Sequence, residues 1–188
     1  MRWLILYARS RQVPTSAAAV ALVTLALWAL SDPGPEDLAM AVLVLAANVA
    51  AASVGLGGPD VVLERTAAIR WLPRRAAHVL LIGAFAGAAL LTVQGAGARL
   101  APTEVVVRDS AGLVGLAALG AALYGAQFAW TLPTGWLAVA LLVPTPRGTA
   151  GQVVNWMIFP PGTAASTGTA WALLVTGTVV YAVAGPRR

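Results

Sequence analysis

No charged residue stands between Asp37 and Asp60, in "LAMAVLVLAANVAAASVGLGGP". The same holds between Arg11 and Asp32, between His78 and Arg99, and over the longer reaches from Asp109 to Arg147 and from Arg147 to Arg187. A helix crosses the hydrocarbon of a bilayer with about 20 apolar residues at 1.5 Å each. A soluble shell cannot be built across such runs: only 10% of the residues are charged and 59% are hydrophobic, where soluble domains carry about 25% charge. The pattern predicts an all-α, polytopic membrane bundle forming a single domain over residues 1–188, set in a lipid bilayer.

Cutting the chain at charges and proline-rich breaks places spans near Pro14–Leu30, Leu38–Leu56, Ala76–Gln94, Ser110–Trp130 and Thr169–Ala184. Between the last two, "WLAVALLV" at Trp136–Val143 is apolar but short, and "PTPRG" follows it. Closely spaced prolines interrupt helices because each lacks a backbone N–H. Thr134–Val143 is therefore expected as a short or tilted fifth span. Residues 144–165 are expected as a broken or re-entrant outer segment, with a half-helix at Gly151–Phe159 and with Trp156 and Phe159 at headgroup level. That makes about six spans. With residues 1–13 cytoplasmic, Arg2, Arg9, Arg11, Arg65, Arg70, Arg74, Arg75, Arg187 and Arg188 all lie inside, and Arg99, Arg108 and Arg147 outside. Arginine concentrated inside predicts N-in and C-in, multi-pass in the cell membrane.

All twelve basic residues are arginine. They sit at the ends of apolar runs rather than in one patch, so the net charge of +5 is topogenic and no nucleic-acid partner is expected. Arginine in place of lysine, with abundant alanine and glycine, points to a GC-rich genome of the actinobacterial kind. The absence of cysteine and the single histidine, His78, exclude thiol chemistry and a histidine metal cage,. No Walker-type phosphate loop is present, so any ATP hydrolysis belongs to another subunit. No span holds an ionisable residue at its centre by this division, which disfavours ion-coupled transport and intramembrane proteolysis. The polar residues left as candidates for lining a path are Asn48, Ser53, Gln94, Gln127 and Asn155. Gly83 and Gly87 form a GxxxG, read as packing within the bundle before a homodimer seam.

The densest charge falls in "PDVVLERTAAIRWLP", residues 59–73. Proline at 59 can open a helix and Pro73 is expected to stop it. Its mixed charge and large apolar residues suit a soluble protein partner better than lipid. Leu63, Glu64, Arg65, Ile69, Arg70 and Trp71 are the expected contacts.

In layout the chain resembles the ABC-2 type exporter permeases. "MRWLILYARSRQ" stands where that family has an amphipathic N-terminal helix. "PDVVLERTAAIRWLP" stands where it has a cytoplasmic coupling helix, and "PTPRGTAGQVVNWMIFPPG" where it has short re-entrant helices before the sixth span. The resemblance implies a permease subunit without a cofactor of its own, docked on a cytoplasmic ABC ATPase that binds ATP and Mg²⁺. It also implies a path enclosed by a homodimer or with a second permease, and an uncharged interior suits an amphiphilic or lipidic cargo. The alternative is a non-transporting scaffold or anchor subunit holding a soluble partner through the same basic loop. A lipid enzyme using Arg70, Arg74, Arg75 and His78 on a phosphate is a third reading.

Overall fold

The computed structural model describes residues 13–30, 37–57, 71–97, 100–144 and 147–187. Every regular element among them is a helix. They are α1 (Val13–Leu30), α2 (Leu38–Ser53, prolonged by a 3₁₀ turn Val54–Leu56), α3 (Trp71–Gly95) and α4 (Thr103–Tyr124). A 3₁₀ turn Ala126–Phe128 leads into α5 (Thr131–Leu142), followed by α6 (Thr149–Val154) and α7 (Ala164–Ala184). Among the described residues four helices are long and apolar enough to cross a membrane: Leu38–Leu56, α3, α4 and α7. Pro14–Ala26 within α1 and the stretch Ala126–Leu142 are apolar but shorter.

The local chemistry explains the boundaries. Asp37 caps α2, its carboxylate accepting from the Met40 amide at 3.0 Å,. Pro102 precedes α4 as its N-cap and Gly125, at φ 103°, follows its end,. Two expected boundaries move. Pro73 does not stop a helix: α3, described over Trp71–Gly95, runs through it. The fourth helix begins at Thr103 rather than Ser110 and so takes in Glu104, Arg108 and Asp109, which the sequence reading had left in a loop.

Hydrogen bonds show which helix ends lie together. His78 Nε2 meets the Gly55 carbonyl at 3.0 Å, and Tyr181 donates to the Leu56 carbonyl at 2.6 Å. Arg187 reaches the Leu123 carbonyl at 3.2 Å, and Arg75 the Ala182 carbonyl at 3.5 Å. The ends of α2, α4 and α7 and the start of α3 thus share one basic end. At the opposite end Gln94 closes the α3–α4 turn, its side-chain oxygen accepting from the amides of Leu100 and Ala101 at 3.1 and 2.8 Å.

One buried apolar core joins α2, α3, α4, α5 and α7. Helices α4 and α7 run parallel and nearly touch backbone to backbone: a Cβ on Gly115 would collide with Leu173, and one on Gly177 with Gly115 itself. Small residues at such crossings are how helices approach where lipid supplies no hydrophobic drive. The GxxxG of α3 serves the same end. Gly83 and Gly87 face Val114 and Ser110 of α4, so this motif is used inside the chain.

Candidate functional site

The chain between α5 and α7 dips into the bundle. Gln152 of α6 lies beside the start of α7, where its carbonyl accepts from the Ser166 hydroxyl at 3.1 Å. Two residues on, the Val154 carbonyl accepts from the Trp136 indole of α5 at 2.8 Å. Trp156 then stands against Gly112, near the middle of α4, where a Cβ would strike the indole ring. By Met157 and Pro160 the chain is back beside Arg108, one turn nearer the start of α4. Gly148 at φ 73° and Gly162 at φ 82° bracket the excursion. These left-handed conformations suit glycine.

The expected half-helix is therefore shorter than Gly151–Phe159, ending at Val154, with Asn155–Phe159 in turns. Trp156 is fully buried within the protein. The notch left by Gly112 is what admits a side chain of that size.

Arg108 holds the dip in place. Its Nε donates to Asp109 Oδ1 at 2.8 Å, Nη2 to the Met157 carbonyl at 3.3 Å and Nη1 to the Pro160 carbonyl at 3.4 Å. Arg108 is 4% exposed and Asp109 wholly buried. The cost of burying two ions is offset only when their remaining hydrogen-bonding capacity is used. For Arg108 much of it is. For Asp109 it is not, because Oδ2 has no hydrogen-bond partner. Around the same excursion the amide nitrogen and oxygen of Asn155 and the indole nitrogen of Trp156 are also buried without partners. Each such group costs on the order of 1–3 kcal/mol. Asp109 and Gly112, three residues apart, share one face of α4, and Trp156 lies on Gly112. These unpaired atoms, on α4 and on the segment packed against it, make up a buried polar node. The node offers an acceptor, a donor and an amide that is both.

Of the residues expected to line a path, Asn155 alone lies in this node. Asn48 is buried between α1 and α2 and donates to Thr24 Oγ1 at 3.2 Å. Ser53 bonds back to the Ala50 carbonyl at 2.7 Å within its own helix. Gln94 caps a turn at one end of the bundle, and Gln127 is exposed at the other. These five residues are not brought together.

Of the expected partner contacts, Leu63, Glu64, Arg65, Ile69 and Arg70 lie outside the described residues, as do residues 1–12. Trp71 opens α3, half-buried, with the Arg74 guanidinium 6.0 Å from its ring centroid. The sequence reading missed Arg108, Asp109 and the burial of Trp156. Among the described residues there is no cluster of three or more metal-ligating side chains. No family model, curated protein or solved structure matches the chain.

Proposed function

We propose that this chain is the transmembrane permease subunit of an ATP-driven exporter of the ABC-2 type, handling an amphiphilic or lipidic cargo. The observation that carries the reading is the dip of residues 149–163 with its buried, unpaired polar node. A passive anchor needs apolar helices and a basic loop. It has no use for a helix break at mid-bundle that leaves several polar atoms unsatisfied. Irregular backbone at that depth is tolerated where protein covers it or where it lines a cavity, as in transport proteins. In this reading the basic end faces the cytoplasm. Helices α1 and α5 make two shorter crossings beside the four long ones, giving six, N-in and C-in, in the cell membrane.

The run of α3 through Pro73 adds a mechanical argument. A push delivered to residues 59–70 by a partner enters a helix that is continuous from Trp71 to Gly95. That helix packs on α4 through Gly83 and Gly87. Movement at the basic end is thereby passed to the helix that carries Arg108 and Asp109. ATP and Mg²⁺ would be held by the separate ATPase, and a second copy or a second permease would complete the path.

The test is purification of the tagged chain from its own host in mild detergent. An ABC ATPase is expected in stoichiometric amount. Trp71→Ala with Arg65→Ala should release it while the chain still inserts, since truncating an interface hot spot costs about 2 kcal/mol or more. A different soluble partner in constant ratio would establish the scaffold instead. Wild-type retention of the ATPase by the double variant would remove the coupling role from this stretch.

A further inference from the structure

Where α4 and α7 begin, the surface opens into a hollow of about 470 Å³ whose walls include Glu104, Val107, Arg108, Pro161, Thr167 and Trp171. That volume lies within the range of small-molecule sites, about 300–1,000 Å³. The charge of the hollow can be worked out from its walls. Arg108 is buried and committed to Asp109 and to two carbonyl oxygens. Glu104 is exposed and has no ion-pair partner among the described residues. Among the described wall residues Glu104 is thus the one exposed charge.

Depth follows from helix geometry. Glu104 is the second residue of α4, while Trp171 is the eighth of α7. At 1.5 Å per residue Trp171 lies roughly 10 Å further along the bundle. Thr167 and Trp171, four residues apart, share a face of α7. The carboxylate marks the rim, and Val107 with the indole, 46% exposed, forms the apolar wall beneath.

We propose that this hollow binds a cationic amphiphile, its amine or quaternary ammonium group at Glu104 and its apolar body along Val107 and Trp171. An anionic amphiphile would meet Glu104 with no exposed cation beside it among the described wall residues, and find the guanidinium of Arg108 already engaged. A neutral one would leave the carboxylate unused. An acid in the first turn of a helix is favourable in itself, and tryptophan is common near membrane interfaces. Neither preference accounts for both residues lining one hollow. Indole faces attract cations as well as apolar surface.

Binding is measured on the purified chain in uncharged maltoside micelles with a water-soluble probe, a naphthylmethyl-trimethylammonium salt, against the matching naphthylmethanesulfonate. The ammonium probe is expected to bind and the sulfonate not to. Glu104→Gln should weaken the ammonium about fivefold, the worth of a partly exposed ion pair. Trp171→Leu should do the same, as for an exposed cation–π contact, and the two together should exceed tenfold. Trp171→Tyr should stay within about twofold of wild type. Both positions are exposed, so far-UV circular dichroism should show the variants folded. Unchanged binding in Glu104→Gln, or equal affinity for the sulfonate, overturns the proposal. Competition by phosphatidylethanolamine would place the cation on a lipid headgroup, and its absence on a free amphiphile; either upholds the site. No ATPase takes part, so this experiment succeeds or fails independently of the transport reading.

Discussion

Glycines 115, 168 and 177 allow the α4–α7 contact to be tested with its own control. Gly168 and Gly177 both lie within α7, but a Cβ on Gly168 meets nothing within 4 Å, whereas one on Gly177 runs into the Gly115 carbonyl. Alanine is favoured over glycine in a helix by about 1 kcal/mol. Gly168→Ala should therefore be neutral or stabilising by up to about 1 kcal/mol. At Gly115 and Gly177 the obstacle is backbone, which cannot rotate aside, so overpacking should cost near the upper end of about 1–3 kcal/mol. Set against the propensity gain, about 2 kcal/mol of net destabilisation remains for either variant. Because the two glycines oppose each other across one contact, the double variant should cost less than the sum of the singles. Reversible unfolding in mixed micelles, followed by tryptophan fluorescence, reads these differences. If Gly115→Ala and Gly168→Ala unfold within about 0.5 kcal/mol of each other, α4 and α7 do not approach through these glycines.

Three further outcomes follow from the polar node and the helix ends. Arg108→Met leaves Asp109 buried without its counter-ion and should cost about 3–5 kcal/mol, while Arg108→Met with Asp109→Leu should recover at least about 2 kcal/mol of that, measured by the same unfolding titration. Asn155→Leu removes two unpaired polar atoms at nearly constant volume and should raise stability by about 1–2 kcal/mol; a loss of stability would mean that the amide is satisfied. The chain has no cysteine of its own, so single cysteines report sidedness cleanly with an impermeant maleimide. Leu72→Cys and Tyr124→Cys should react from one face of the membrane, and Thr149→Cys and Thr163→Cys from the other. Labelling of Thr149→Cys and Thr163→Cys from opposite faces would mean that the dip is a crossing.

The apolar runs made the helices legible, because hydrophobicity is a local property of the chain. What failed was the rule that a charge ends a span. Arg108 and Asp109 read as a loop since two neighbouring charges look expensive in a bundle, yet they are partners of each other. The carbonyls that receive the arginine come from Met157 and Pro160, about fifty residues downstream, where no window of sequence connects them. Pro102 ahead of "TEVVVRDSAGLVG" was the one available signal for an earlier start. The burial of Trp156 is hidden for a similar reason. Tryptophan prefers an interface on average, but the space that buries it here is created by Gly112 on another helix. The GxxxG of Gly83 and Gly87 was read correctly as internal packing, because the bundle has to close on itself before it can bind a copy.

The short return between the parallel helices α4 and α7 has a consequence for the lipid around it. The stretch Ala126–Leu142 covers about 25 Å at 1.5 Å per residue, against a hydrocarbon core of about 30 Å. Its last turn bares Leu141, Leu142 and Val143, with Leu142 at 81% exposure, just before Pro144 ends the apolar run. If this stretch crosses, the bilayer must thin by about 5 Å along that flank while α3 and α4, both longer than 30 Å, hold it at full depth beside them. Such a lopsided collar of lipid costs fractions of a kcal/mol per ångström. It is relieved when two thin flanks meet, so the membrane itself would favour pairing two copies through the side that carries α5.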